Sequence, residues 1–240
     1  MKNKLPGITL AIVMILSITA CSLDSGDSGV SPYTEKTLTV KNEQVWEHNL
    51  RTGKPSEMYA KSTENSDIRF FTGTKSSPKM ELSQDLCSGE IKNGKLSFTV
   101  GELEPGNLLA WNSYLDDIFP EWGAVAIAPA GTRGNIITLL LSDSAGDKLS
   151  REKVITTGTS FGLEEILHVY VDRDCIITGD HGEGMIPGDR YYFTANTLNL
   201  SLKEGWNLLC RKEVFASDQD GRDAVSMEIK DLVDFRWAVW

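Results

Sequence analysis

The sequence has no CxxC pair. Its four cysteines, Cys21, Cys87, Cys175 and Cys210, are widely spaced, which argues against a zinc ribbon or a dithiol redox centre. It also lacks an excess of positive charge, with 24 Lys+Arg against 34 Asp+Glu. Nucleic acid and anionic lipid surfaces both select basic patches, so neither is an expected partner. No internal repeat is visible, which excludes a solenoid. No apolar run reaches the roughly 20 residues that a membrane-spanning helix requires. Sustained 3.6-residue periodicity is nearly absent as well. That absence argues against a fold of alternating strands and helices.

What is present is a series of short strand-like runs divided by turns. Residues 37–41 and 67–71 alternate. The strongest local signal is Asn93-Gly94 between Glu90-Ile91-Lys92 and Lys95-Leu96-Ser97-Phe98-Thr99-Val100. Both central positions of a two-residue type I′ turn need positive φ, which Asn and Gly tolerate. The pattern predicts a hairpin with Leu96, Phe98 and Val100 on one buried face. Further strands are expected over residues 124–128, 135–142, 166–172, 175–178, 190–194 and 197–202. The turn Lys203-Glu204-Gly205 then predicts a second hairpin with residues 206–215, and strands over 224–230 and 235–240 close the chain. One segment departs from this pattern. Leu108, Leu109, Trp111, Leu115, Ile118 and Phe119 recur near helical spacing between Pro105-Gly106 and Pro120, so a short helix is expected. A further helical turn is expected over residues 163–167.

The first residues carry a different message. Lys2 and Lys4 precede an apolar run over residues 5–18, about 14 residues long, that ends in small residues. That arrangement is a secretory signal peptide. The run closes on Ile18-Thr19-Ala20-Cys21, which resembles the lipobox of bacterial lipoproteins. The resemblance covers the first 21 residues and implies diacylglyceryl transfer to the Cys21 thiol, cleavage before Cys21 and acylation of the new amino group. The alternative is a plain secreted protein cut after Ala20. Residues 21–35 include Ser22-Leu23-Asp24-Ser25-Gly26-Asp27-Ser28-Gly29, too polar to bury a core and suited to a flexible tether. In a double-membraned cell, Ser22 rather than Asp after the lipidated cysteine favours the outer membrane. Loss of Lys2 and Lys4 leaves 22 cations against 34 anions, a mature net charge of about −12. Such charge is ordinarily a solvated face. Two stretches of the body, residues 89–98 and 200–207 (the latter preceded by 170–174), also resemble segments of uncharacterised bacterial lipoproteins. That likeness implies a β-sandwich surface protein without assigned activity.

Several residues invite a functional reading. Gly158-Thr159-Ser160-Phe161-Gly162 matches the G-x-S-x-G nucleophile elbow, with His181 as a partner base. The elbow needs a helix after the serine, and the segment here is short, so a Gly/Ser loop is the competing reading. Asp180-His181-Gly182-Glu183, with Asp172 and Asp174 upstream, offers oxygen and nitrogen donors to a divalent ion. A polar turn explains the same residues. Asp218-Gln219-Asp220-Gly221 has Ala216 and Met227 where an EF-hand needs Asp and Glu, which rules that motif out. Trp111 and Trp122, which flank the expected helix, are the candidates for a sugar-stacking platform, with core filling the competing reading; Trp46, Trp206 and Trp237 are expected to fill the core. Trp240 ends the chain as the assembly signal of outer-membrane barrels does, but the strands are too short for that architecture. In an oxidising compartment Cys175 and Cys210 are the best-placed disulfide pair. Three buried thiols are the alternative.

The expected molecule is mainly β: an antiparallel β-sandwich with one short helix. Two small subdomains dividing near residues 105–123 are compatible with the pattern. Residues 1–20 are the signal, 21–35 the lipidated tether and 36–240 the extracytoplasmic domain. The expected function is a non-enzymatic binding or structural module, anchored to the membrane through Cys21, with a protein or glycan partner. No catalytic residue, metal or cofactor is assigned. A Ser160 hydrolase and an ion module at residues 180–183 are the alternatives.

Overall fold

The chain folds through strand pairings that return to where they began. The computed structural model describes residues 33–34, 36–48, 58–60, 65–74, 77–111, 115, 119, 122–142, 147–157, 160–185, 192–215, 222–229 and 235–239. Residues Ser31–Trp240 fall in one compact unit. The signal, the lipobox, most of the tether, Trp240 and Asp218 to Gly221 lie outside the described residues.

In chain order the strands are β1 (Tyr33–Thr34), β2 (Thr37–His48), β3 (Met58–Ala60), β4 (Ser66–Thr74), β5 (Ser77–Glu81), β6 (Cys87–Lys92) and β7 (Lys95–Val100). The 3-10 turn Pro105–Asn107 precedes β8 (Leu109–Ala110), β9 (Gly123–Ala128), β10 (Arg133–Leu141), β11 (Lys148–Thr157) and β12 (Ser160–Val171). Then follow β13 (Cys175–Asp180), β14 (Gly182–Met185), β15 (Tyr192–Ala195), β16 (Leu198–Leu202), β17 (Gly205–Phe215), β18 (Arg222–Ile229) and β19 (Arg236–Val239).

The path β4, β10, β11, β19, β2, β7, β6 comes back to β4, so the main sheet closes into a barrel. β12 joins that ring by pairing with both β10 and β11. From β12 the sheet runs outward through β17, β18, β15 and β14. A separate three-stranded sheet is ordered β16, β13, β9. The mainly β expectation holds. The sandwich is corrected, because the main sheet closes on itself. Pairing is not purely antiparallel either: β15 with β18 and β19 with β2 run parallel.

Two cores result. The first is lined by the ring strands and holds Leu38, Phe70, Ile91, Leu96, Phe98 and Trp237. Phe98 meets Phe70 at 5.7 Å and Trp237 at 5.5 Å, both edge to face. Buried aromatics of this kind contribute about 1.5–3 kcal/mol each. The second core lies between the outward extension and the three-stranded sheet, and contains Trp111, Phe119, Val169, Ile177, Leu200 and Leu209. β12 serves both. Its Tyr170 belongs to the first core and its Val169 and Val171 to the second.

The Asn93-Gly94 hairpin forms as its sequence predicts. Asn93 and Gly94 have φ of 51° and 72°, and Leu96, Phe98 and Val100 are buried. The second predicted hairpin does not form. β16 pairs with β13, while β17 pairs with β12 and β18. The reason lies in the turn. Asp174 accepts from the Glu204 backbone N–H and the Lys203 ammonium, and Asn207 accepts from the Lys203 N–H. These side chains occupy backbone groups that a hairpin would pair, and Gly205 at φ 95° turns the chain into the main sheet.

Of the helix expected near Leu108, the described residues include the 3-10 turn, a helical Leu115 and one α-type bond from Phe119 N–H to Leu115 O (2.8 Å). Most of residues 112–121 lie outside the description. Residues 163–167 are not helical. They sit mid-strand in β12, where the ladder to β17 claims them. Among the described residues no helix is long and apolar enough to cross a membrane.

Candidate functional site

Ser160 is the first residue of β12, opposite Thr157 of β11. The G-x-S-x-G stretch therefore joins two antiparallel strands, and a strand rather than a helix follows the serine. That is not the strand–turn–helix of a nucleophile elbow. His181 and Glu183 approach each other at 3.3 Å, with both side chains more than half exposed. Asp180 is exposed beside them. Asp172 caps the Arg133 N–H and pairs with Arg173, and Asp174 holds the Lys203 turn. Those bonds keep the Asp172 and Asp174 carboxyls below the usual carboxylate range, for Asp172 against a desolvation that raises it. Among the described residues no group of three potential metal ligands converges.

The tryptophans follow the core reading more than the platform reading. Trp111 and Trp122 are both buried. The Trp122 indole N–H donates to Asn196 O, and Phe119 packs edge-on against its ring at 6.0 Å. Neither ring offers a free face for a sugar. Trp206 and Trp237 are buried as expected. Trp46 is half-buried, with the Arg236 guanidinium over it at 4.5 Å. Cys87, Cys175 and Cys210 are buried, and none of the three is in a disulfide. The pairing of Cys175 with Cys210 is corrected: the two belong to different clusters, one on β13 and one on β17. Burial pushes the Cys87 and Cys175 thiols up to about 11, which keeps them protonated and unreactive at neutral pH.

Two arrangements were not apparent from the sequence. One is inside the barrel. Arg151 is buried with its Nη2 3.0 Å from Glu43 Oε2. Trp237 Nε1 donates to the same Oε2 at 2.9 Å, and the guanidinium lies 5.6 Å from the Trp237 ring centre. His168 stacks flat on Trp237, with ring centres 5.5 Å apart and planes 2° from parallel. Burial first, and the Arg151 charge second, push His168 down to about 3, so its ring is neutral. The cavity lined by Arg151 and His168 measures about 30 Å³, too small for a substrate. The signal for the cluster was faint. Period two from Leu149 carries Arg151 inward, and period two from Tyr170 carries His168 inward.

The other arrangement is on the surface. The ladder between β4 and β6 is only two pairs long, Ser66 with Ile91 and Asp67 with Glu90. Beyond it β4 pairs with β10. A groove of about 420 Å³ opens here across β2, β7, β6 and β4. Its polar lining is Lys41, Asp67, Ser88, Glu90, Ser97 and Thr99. A bulge in β2 between Val40 and Glu43 shapes one wall, where Asn42 at φ 54° donates its N–H to Ser97 Oγ at 3.0 Å. The floor includes Gly89. A Cβ there would lie 2.7 Å from Phe98 Cβ and 2.9 Å from Phe70 Cζ, so the aromatic core beneath dictates glycine. The groove thus offers three hydroxyls, two carboxylates and one ammonium at its walls. This inventory suits hydrogen bonding to a polar ligand and supplies no activated nucleophile.

Compared with known proteins, the chain matches no family model, and no curated protein or solved structure is similar to it.

Proposed function

We propose that the protein is a lipid-anchored, extracytoplasmic binding module, held by acyl chains on Cys21 and taking a polar protein or glycan ligand in the groove across β2, β7, β6 and β4. The groove carries the reading. Its volume of about 420 Å³ lies within the range of ligand sites, roughly 300–1,000 Å³. Its mixed hydroxyl and charged lining matches the polar groups of a saccharide or a peptide. The sequence features supporting the anchor are the signal-like N-terminus and the lipobox resemblance. Together they favour the cell envelope, and the outer membrane over the inner where two membranes exist.

Ser88 and Thr99 face each other across β6 and β7 and are both exposed. Changing both to Arg fills and recharges the groove at little cost to folding, about 0.5 kcal/mol per site. Ligands identified with the wild-type domain on a glycan array, and by crosslinking in an envelope extract, are expected to bind the double variant at least about tenfold more weakly. Unchanged binding, or no ligand in either format, sinks the groove assignment.

The anchor has its own test. Cys21→Ala is expected to leave the chain unprocessed or to release it from the membrane fraction, since acyl chains supply the attachment. Normal processing with unchanged membrane retention overturns it.

A further inference from the structure

Three strands part company at one point in the barrel wall. β10 pairs with β12 up to Ile137 and His168, then with β11 from Leu139 and Leu149. The ladder between β11 and β12 begins only at Arg151 and Ile166. Thr138 lies at the fork, and its hydroxyl is turned away to Gly73 O on β4 at 2.9 Å. A cavity of about 30 Å³ occupies the fork, and Arg151 and His168 are among its lining residues.

Arg151 has donors to spare there. Its side chain is 8% exposed, and its Nη2 pairs with Glu43. Its Nε and Nη1 are buried and have no hydrogen-bond partner. A buried charged donor left unsatisfied is among the more costly defects of an interior. We propose that the fork is a built site for one ordered water molecule, which accepts from Arg151 Nε or Nη1 and bridges the guanidinium to the parted backbones of β10, β11 and β12.

Size and charge select this ligand. A water needs a cavity of roughly 10–15 Å³ and two to four polar partners. The fork accommodates a water and excludes oxyanions and organic molecules. A halide would fit by size, but charge opposes it. Arg151 already faces the Glu43 carboxylate, and Glu152 and Glu164 are buried on the same β11 and β12 hairpin. The water closes the gap that the change of ladder leaves, and so lets β10 serve two partners on one edge.

A crystal structure that resolves ordered solvent is expected to show one density peak within hydrogen-bond distance of Arg151 Nε or Nη1, inside the fork. In solution, water-to-amide cross-relaxation is expected at residues flanking the fork in wild type and to vanish in Arg151→Met. Arg151→Lys retains a donor and is expected to keep the signal. An empty fork, a fork that takes up xenon, or a halide peak that follows the salt supplied overturns the proposal. So does cross-relaxation unchanged in Arg151→Met.

Discussion

Gly134→Ala is expected to cost about 3 kcal/mol or more and to lower the melting temperature by roughly 10 °C in a domain of this size. Gly134 lies in β10 directly beneath the Trp111 indole. A methyl group there would overlap Trp111 Nε1 and would stand 2.5 Å from the Tyr170 carbonyl oxygen. Neither neighbour yields easily. Trp111 is fully buried in the second core, and the Tyr170 carbonyl belongs to β12, which Asn135 of β10 faces in the ladder. Relief requires pushing the indole out of its cluster or breaking the edge between β10 and β12. Gly106 supplies the control. It is exposed in the 3-10 turn, and a Cβ there meets nothing within 4 Å. Gly106→Ala is expected to melt within a degree or two of wild type, by circular dichroism or differential scanning fluorimetry. Equal melting temperatures for the two variants would mean that the Trp111 packing is not as described.

His168 predicts how the protein responds to acid. Its folded value is pushed from 6.5 down to about 3. The unfolded chain therefore takes up a proton at a pH where the folded chain refuses it. The stability that depends on a neutral ring is fully present above about pH 6.5. It is lost as pH falls from there toward about 3, at about 1.4 kcal/mol per pH unit. At pH 4.5 the loss from this one residue is about 3 kcal/mol, a large share of a typical 5–15 kcal/mol. His168→Phe keeps a ring to stack on Trp237 and removes the titration. Urea unfolding at pH 7, 6, 5 and 4 is expected to show a flatter decline for the variant than for wild type. Parallel declines would show that His168 is not held neutral inside the barrel.

The parts of this fold that were legible in the sequence are those whose causes are local. Asn93-Gly94 announces its turn because positive φ is a property of two adjacent residues, and the alternation after it names the buried face. Barrel closure has no such signature. It depends on residues 236–239 lying parallel to β2, some 190 positions earlier, and no short window contains that pairing. The false hairpin at Lys203 shows the same limit. The turn residues were read correctly, but Asp174, thirty positions back, decides where the turn leads. For Trp111 and Trp122, which flank the expected helix, a sugar platform and core filling compete in the sequence, and only the packing shows that both rings are covered. The surface groove was missed for a related reason. Its walls are ordinary polar strand positions, and it exists only because β4 leaves β6 for β10 after two pairs.

β12 has one further consequence. Read in steps of two, it spells one set of side chains for the barrel and another for the neighbouring core: His168 and Tyr170 on one side, Val169 and Val171 on the other. A one-codon insertion ahead of residue 168 would exchange the two messages, sending an imidazole among leucines and a valine onto the Trp237 ring. Residues 160–171 are therefore a reading frame in the protein's own geometry. Over evolutionary time this strand is open to substitution but closed to insertions or deletions of a single residue. Length changes have to gather in the loops outside it.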